Sequence, residues 1–383
     1  MKILADENIA FASEAFSKFG DVTLMNGRKI NNASLKHCDI LIVRSITKVD
    51  ENLLNGTRVK FVGTATIGTD HIDFEYLKEN NISFADAKGC NSHAVAEYVF
   101  TALLKTAVEK NIELKDKVMG VVGVGNIGSK IVKLSKALGM KILMNDPPLK
   151  RLTKNNDFVP LEQIYDADII TLHVPLNLKG IDRTVHLFDS NNLNKLKGNT
   201  ILINASRGQV IDNFALNKII LQKNLTGILD VWENEPNINL ELLQKVFIGT
   251  SHIAGYSLEG KVNGTVMMAN AITKFLNNKS KWVPDLPAVD KQYYELDEND
   301  KLEKTLFNLF NHIYPINEDN ARLKNILKIK EHERAEYFDT LRKNYPLRRE
   351  FNNFTVKLNH APHFQNEKPI NILKAFRFQI RKN

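Results

Sequence analysis

The stretch Gly123-Val-Gly-Asn-Ile-Gly128 constrains this chain more than any other feature of its sequence. A Gly-x-Gly-x-x-Gly string alone is weak. Here it lies between an apolar run, Val118 to Val122, and the residues Ile127, Ile131, Leu134 and Leu138 at helical spacing, which Gly139 ends. Strand, glycine turn and helix come in the order that a dinucleotide-binding fold requires. Gly123 permits the tight turn, Gly125 the close approach of backbone to a pyrophosphate, and Gly128 the packing of helix on strand. Phosphates would meet the N–H groups at the start of that helix. Asp146 stands eighteen residues beyond Gly128, at the end of the next strand candidate. A carboxylate there accepts from both ribose hydroxyls and repels a 2′-phosphate, which selects NAD over NADP.

The rest of the chain fits around this unit. A length of 383 residues suggests two or three domains. From Lys2 to Thr64 short β-rich runs (Lys2 to Ala5, Ile40 to Arg44, Lys60 to Thr64) alternate with amphipathic stretches, the rhythm of a parallel sheet with covering helices. Ser92 to Glu109 reads as one long helix, long enough to bridge two domains. Strand candidates at 118–122, 141–145, 168–174, 199–204, 226–231 and 246–249 then form a second doubly wound sheet. Leu258 to Leu276 is helical again and suited to return to the first sheet, and prolines near Val283 to Pro287 break the pattern. The expected fold is α/β. A discontinuous substrate domain takes in 1–92 and 258–285, a Rossmann-type domain 93–257, and a smaller α+β domain 286–383.

Three segments end strand candidates, where doubly wound sheets gather their ligands: Asn204-Ala-Ser-Arg207-Gly208, Asp230 to Pro236, and Ser251 to Tyr256. Oxidising a hydroxy acid requires a cation for the carboxylate, a base for the hydroxyl proton and a partner for the protonated base. Arg207 offers a planar fork, His252 a ring suited to proton transfer near neutrality, and Glu235 a carboxylate to orient that ring.

Together with Asn91-x-x-x-Val95-Ala-Glu97 and His173-Val-Pro175, these segments resemble the D-2-hydroxyacid dehydrogenase family in order and spacing. The resemblance implies Arg207, Glu235 and His252 as catalytic residues. It implies cofactor contacts at Asn126, Ile127, His173, Ala205, Ser206, Arg207, Asp230 and Gly255, beside Gly123, Gly125, Gly128 and Asp146. Ser206 stands where cysteine is common in that family. A narrower likeness, to a branch acting on a phosphorylated hydroxy acid, rests on Lys2 to Asn8, Val43 to Lys48, Phe61 to His71, Ala254 to Gly260, and Leu341 to Tyr345 with Arg348-Arg349-Glu350. It implies substrate contacts at Ser45, Thr66 and Tyr256 and a homodimer joined by the carboxy-terminal domain. Arg44, beside Ser45, could bind a phosphate.

The net charge of +8 arises entirely after residue 341, where ten Lys/Arg meet two Asp/Glu. The expected reading is a solvated or subunit-facing surface on which Arg342, Arg348 and Arg349 attract an anionic substrate, not a nucleic-acid site. Leu302, Leu306, Leu309 and Phe310, at helical spacing, are expected at a subunit interface, so that a chain ending near Val283 would be a monomer that still binds NAD. Cys38 and Cys90 lack ligand spacing, and neither they nor His37, His93, His312, His360 and His363 suggest a metal. His71 and Asp70 read as a turn-stabilising pair. No apolar stretch suits a membrane helix, and a cytoplasmic protein is expected. Two alternatives share the scaffold: a related dehydrogenase for 3-phosphoglycerate or another D-2-hydroxy acid, and a non-enzymatic NAD-sensing protein.

Overall fold

The computed structural model describes residues 1–289, 291–296, 301–358 and 367–382, so His360 and His363 lie outside the described residues. The chain divides into two compact units, Met1–Asn91 with Ser257–Ala288, and Ser92–Tyr256 with Val289–Asn383.

The first unit holds a parallel sheet of β1 (Lys2–Asp6), β2 (Asp21–Met25), β3 (Ile40–Val43), β4 (Phe61–Thr64) and β5 (Ser83–Asp86) in the order β2-β1-β3-β4-β5. The central strands Ile40-Leu-Ile-Val43 and Phe61-Val-Gly-Thr64 are buried at every position. Continuous apolar runs of this kind belong to strands covered on both faces. The helix Leu258–Phe275 supplies one cover, with Val262, Met268, Ala269 and Ile272 in one cluster with Ile3, Ile40, Ile42 and Phe61. Strand order reverses between β1 and β3, which opens a crevice at the carboxyl ends. Arg44 and Ser45 leave β3 at that edge, and Thr66 follows β4.

The second unit holds β6 (Val118–Val122), β7 (Lys141–Asn145), β8 (Ile169–Leu172), β9 (Ile201–Asn204), β10 (Thr226–Leu229) and β11 (Ile248–Gly249), all parallel, in the order β11-β10-β9-β8-β6-β7. The reversal falls between β6 and β8. The glycine turn therefore sits at the switch point, where such sheets bind ligands. The helix Ser92–Glu109 is buried along almost its whole length, including Tyr98, Phe100, Leu103 and Leu104. A helix apolar on all sides needs a cover on all sides.

The carboxy-terminal segment is part of that cover. Its helices Leu302–Ile313, Ile316–Lys324, Arg334–Lys343 and Glu367–Ala375 accompany a small parallel sheet of β12 (Tyr293–Glu295), β13 (Thr355–Leu358) and β14 (Gln379–Lys382). Leu306, Leu309 and Phe310 are buried in one cluster with Tyr98, Phe100 and Leu104. The Phe376 ring meets Phe100 edge-on at 5.2 Å, and Tyr314 lies 6.2 Å from Tyr98. The expectation that Leu306, Leu309 and Phe310 serve a subunit interface is thus corrected: they pack inside their own chain. The basic surface is corrected as well. Arg348 is buried and Arg342 half-buried, because backbone carbonyls and aromatic rings of the second unit surround them. Among the described residues no helix is long and apolar enough to cross a membrane, and no group of three or more His, Cys, Asp or Glu is placed to hold a metal.

Candidate active site

The carboxyl ends of β6 to β11 bring the expected residues of the second unit to one edge. Gly123 turns with φ +85°, and a Cβ there would lie 2.7 Å from the backbone carbonyl of His173. A Cβ on Gly128 would lie 2.0 Å from the carbonyl oxygen of Gly123, so the helix Gly128–Ala137 reaches the turn only because that atom is missing. At Gly125 a Cβ would meet nothing within 4 Å, which leaves the space that a diphosphate requires. These residues fit a dinucleotide.

Asp146 is already oriented. One carboxylate oxygen accepts from the Val124 N–H at 2.8 Å, the other from the Leu149 N–H at 2.9 Å, so the side chain ties the glycine turn to the start of the helix Pro147–Thr153. Each oxygen keeps a lone pair for a ribose hydroxyl. His173 follows β8 with Nε2 2.9 Å from the Thr171 hydroxyl, while its buried Nδ1 has no hydrogen-bond partner among the described residues. Burial pushes this imidazole down to about 3, which keeps the ring neutral.

After β9 the Asn204 carboxamide shapes the next turn. Its Oδ1 accepts from the Ser206 N–H and hydroxyl at 3.1 and 2.8 Å, and its Nδ2 donates to the Arg207 carbonyl at 2.9 Å. Arg207 donates from Nη1 to the Ser206 carbonyl at 2.8 Å, and Ala205 is buried behind it. A Cβ on Gly208 would lie 1.9 Å from the Trp232 carbonyl oxygen. That glycine lets the Arg207 turn lie directly against the segment that carries Glu235.

His252 and Glu235 form a pair, with Nδ1 2.8 Å from Oε2. The other Glu235 oxygen accepts from the Trp232 N–H at 2.8 Å. Burial works to raise this carboxyl, but the adjacent His252, the Trp232 N–H and the Arg342 guanidinium outweigh it and hold Glu235 below the usual carboxylate range. His252 itself takes φ +58°, a conformation that costs a non-glycine residue roughly 1–3 kcal/mol. Its N–H donates to the Asp230 carbonyl at 2.7 Å, and the Asp230 carboxylate accepts from the Ile253 and Ala254 N–H groups at 2.8 and 3.0 Å and from the Thr250 hydroxyl at 2.7 Å. Asp230, 1% exposed, thus fixes the loop that runs through His252 to Gly255. A second pair, His186 with Glu233 at 2.6 Å, looks similar, yet Glu233 also caps the Asn213 N–H and joins two loops.

Tyr256 ends the loop with its ring edge-on to Tyr345 at 5.8 Å, and the Arg342 guanidinium lies 6.0 Å from the ring centre. Arg342 is a site residue that sequence reasoning left on the surface. Its signal was the Leu341 to Tyr345 stretch, whose chemistry depends on contacts that spacing does not reveal.

In the first unit, Thr66 shares a hydrogen bond with Thr64 at 2.8 Å, and the Thr64 hydroxyl lies 3.1 Å from His71 Nε2. Burial, opposed by Asp70, pushes His71 below its ordinary value, so the ring supports this turn as a neutral group. Ser45 is exposed at the end of β3 and Arg44 half-buried. Lys261, on the helix Leu258–Phe275, was not singled out from sequence. Desolvation and the positive charge of Arg44 push its ammonium below the usual lysine range, which places two cations in one neighbourhood.

Residues 92–254 match the family model described as D-isomer specific 2-hydroxyacid dehydrogenase, NAD binding domain, and residues 286–371 match a domain of unknown function, DUF3410. The chain is similar to erythronate-4-phosphate dehydrogenase of Photorhabdus laumondii, 46% identical over 360 residues that cover 93% of this chain and 94% of the relative. The enzyme of the same name from Escherichia coli is 44% identical over 359 residues, covering 93% and 94%. Among solved structures, cofactor-bound 3-phosphoglycerate dehydrogenase of Entamoeba histolytica is 26% identical with a TM-score of 0.62, covering 73% of this chain and 96% of that one. D-Lactate dehydrogenase from Aquifex aeolicus, at 24% identity and a TM-score of 0.57, shares the fold over 72% of this chain and 96% of its own.

Proposed function

The chain belongs to the erythronate-4-phosphate dehydrogenases, within the D-isomer specific 2-hydroxyacid dehydrogenase family, and on that premise we propose that it oxidises 4-phospho-D-erythronate at C2. The product would be 2-oxo-3-hydroxy-4-phosphobutanoate, on the route to pyridoxal 5′-phosphate. The enzyme is an NAD-dependent oxidoreductase. The observation that carries the reading is the contact of 2.8 Å between His252 and Glu235 at the sheet edge that also holds Arg207.

With Nδ1 facing Glu235, the other nitrogen of His252, Nε2, takes the proton of the C2 hydroxyl during oxidation and returns it in reduction. Glu235 fixes the ring tautomer and favours the positive ring. Arg207 holds the substrate carboxylate with two parallel hydrogen bonds. Bound NAD supplies the hydride acceptor. The backbone of Gly123 to Gly128, with Asn126 and Ile127, holds its diphosphate, Asp146 its ribose, and His173, Ala205, Ser206, Asp230 and Gly255 the remainder. Ser45, Thr66 and Tyr256 contact substrate, and Arg44 with Lys261 supplies positive charge for a phosphate. The family resemblance supports a cytoplasmic homodimer joined through residues 286–383.

Turnover tests the substrate. NADH formation is expected to be fastest with 4-phosphoerythronate and slower by orders of magnitude with 3-phosphoglycerate and unphosphorylated D-2-hydroxy acids. A preference for one of the latter would remove the substrate assignment, and NAD binding without turnover of any of them would favour a sensing protein.

Cofactor choice is expected to rest on Asp146. Asp146→Ser keeps a side chain able to cap the following helix but removes the charge that binds ribose. Combined with Pro147→Arg, it should weaken NAD binding at least roughly tenfold, since a charge-assisted hydrogen bond contributes about 1.5–3 kcal/mol, and should admit NADP. Fluorescence titration with both cofactors measures this, and equal use of NADP by the unaltered protein would contradict it.

A further inference from the structure

Arg348 lies outside residues 92–254, in the segment matched by the second model. Arg348 is 6% exposed, and its nitrogens reach the loop after His252. Nε donates to the Tyr256 carbonyl at 3.0 Å and Nη2 to the Ala254 carbonyl at 2.8 Å, while Nη1 and Nη2 reach the Ala94 carbonyl at 3.5 and 3.4 Å. The Tyr314 ring lies 4.2 Å from the guanidinium carbon. The carboxyl groups of Glu97 and Glu350 lie nearby and both accept from Arg377, at 2.9 and 2.7 Å, while burial and the adjacent Glu350 push Glu97 up to about 8.

Buried arginines are ordinarily paired directly with carboxylates. Here the planar fork serves backbone carbonyls, and two of the three belong to the loop that bears His252 and Tyr256. The opposite edge of that loop is held by Asp230, whose carboxylate accepts the Ile253 and Ala254 N–H groups. A carboxylate on the N–H side and a guanidinium on the C=O side leave the loop little freedom.

We propose that Arg348 is a positioning residue for the oxidation step: by holding the carbonyls of Ala254 and Tyr256 it sets the placement of His252 and Tyr256. The carboxy-terminal segment is then a working part of the site in its own subunit. The proposal rests on the reading of His252 as the proton acceptor. A shift of about 1 Å in a reacting group can lower rate by roughly a hundredfold, and a lysine at 348, with its three donors on one nitrogen, cannot span the separate carbonyls that the nitrogens of the planar guanidinium reach.

The test uses the full chain with Arg348→Lys and Arg348→Ala, on whichever hydroxy acid the unaltered enzyme turns over fastest, so that a wrong substrate assignment leaves the clamp testable. Expected are a fall in kcat of roughly 10- to 100-fold, a Kd for NAD within about twofold, a larger isotope effect on kcat with substrate deuterated at C2, and partial recovery of Arg348→Ala by added guanidinium ion. Near-normal kcat in either folded variant would overturn the proposal. So would a loss that follows melting temperature and NAD affinity with no change in isotope effect and no rescue. If Arg348→Ala does not fold, the isotope effect and kcat of Arg348→Lys decide.

Discussion

His252→Ala is expected to lower kcat by roughly 10²- to 10⁴-fold and to leave the Kd for NAD within about twofold. The ring lies at the end of β11, whereas the glycine turn and Asp146 follow β6 and β7, so the deletion removes proton transfer without touching the diphosphate or ribose contacts. Glu235→Gln should do less damage. Its carboxyl is held below the usual carboxylate range, so the pair's contribution is complete above the ordinary carboxylate pKa and is lost only as pH falls through the depressed one. Glu235 therefore stays ionised through the acid side of the activity profile, and Glu235→Gln acts by removing the charge opposite the ring. Stopped-flow NADH formation across pH, with NAD titration of each variant, measures both effects. Near-normal turnover of His252→Ala at any pH would refute the assignment.

A chain ended after Val283 is expected not to accumulate as a folded protein. This reverses the expectation drawn from sequence, in which the remainder was a separable module. Leu306, Leu309, Phe310, Tyr314, Ile316, Phe351 and Phe376 are all buried in one cluster with Tyr98, Phe100 and Leu104. At about 1.5–3 kcal/mol for each large apolar side chain, their loss is as large as the roughly 5–15 kcal/mol by which domains are stable. Truncation would also expose the far side of the helix Ser92–Glu109. Soluble yield, thermal melting and NAD titration decide the point. A monomer that melts near the temperature of the full chain and binds NAD with unchanged affinity would show that the segment is dispensable.

Strands β3, β4, β6 and β8 to β11 were readable because strands covered on both faces are uninterrupted apolar runs, and the edge strand β7 was readable from its apolar stretch Ile142 to Met144. Strands β2 and β5 were not, since edge positions tolerate Asp21, Thr23 and Ser83 and lose that signature. The glycine turn, Asp146, Arg207, Glu235 and His252 were legible because their chemistry depends on residue type at strand ends. Arg348 and Arg342 were not. The pattern of Leu341 to Glu350 is that of a solvated basic stretch, and what buries Arg348 is a set of carbonyls and a ring at Ala94, Ala254, Tyr256 and Tyr314, distant in sequence. Lys261 escaped for the same reason, because its neighbour Arg44, just after β3, is distant in sequence.

The discontinuity of the first unit has a consequence for the chain during synthesis. Its five strands are complete by Asp86, but the helix that covers them starts only at Leu258. At roughly 5–20 residues per second, a ribosome takes about 10–35 s to cross that interval. For that time Ile3, Ile40, Ile42 and Phe61 lack their final cover. The nascent chain thus presents a sticky apolar sheet face while the nucleotide-binding residues are still being added, a natural target for chaperones that bind emerging polypeptides.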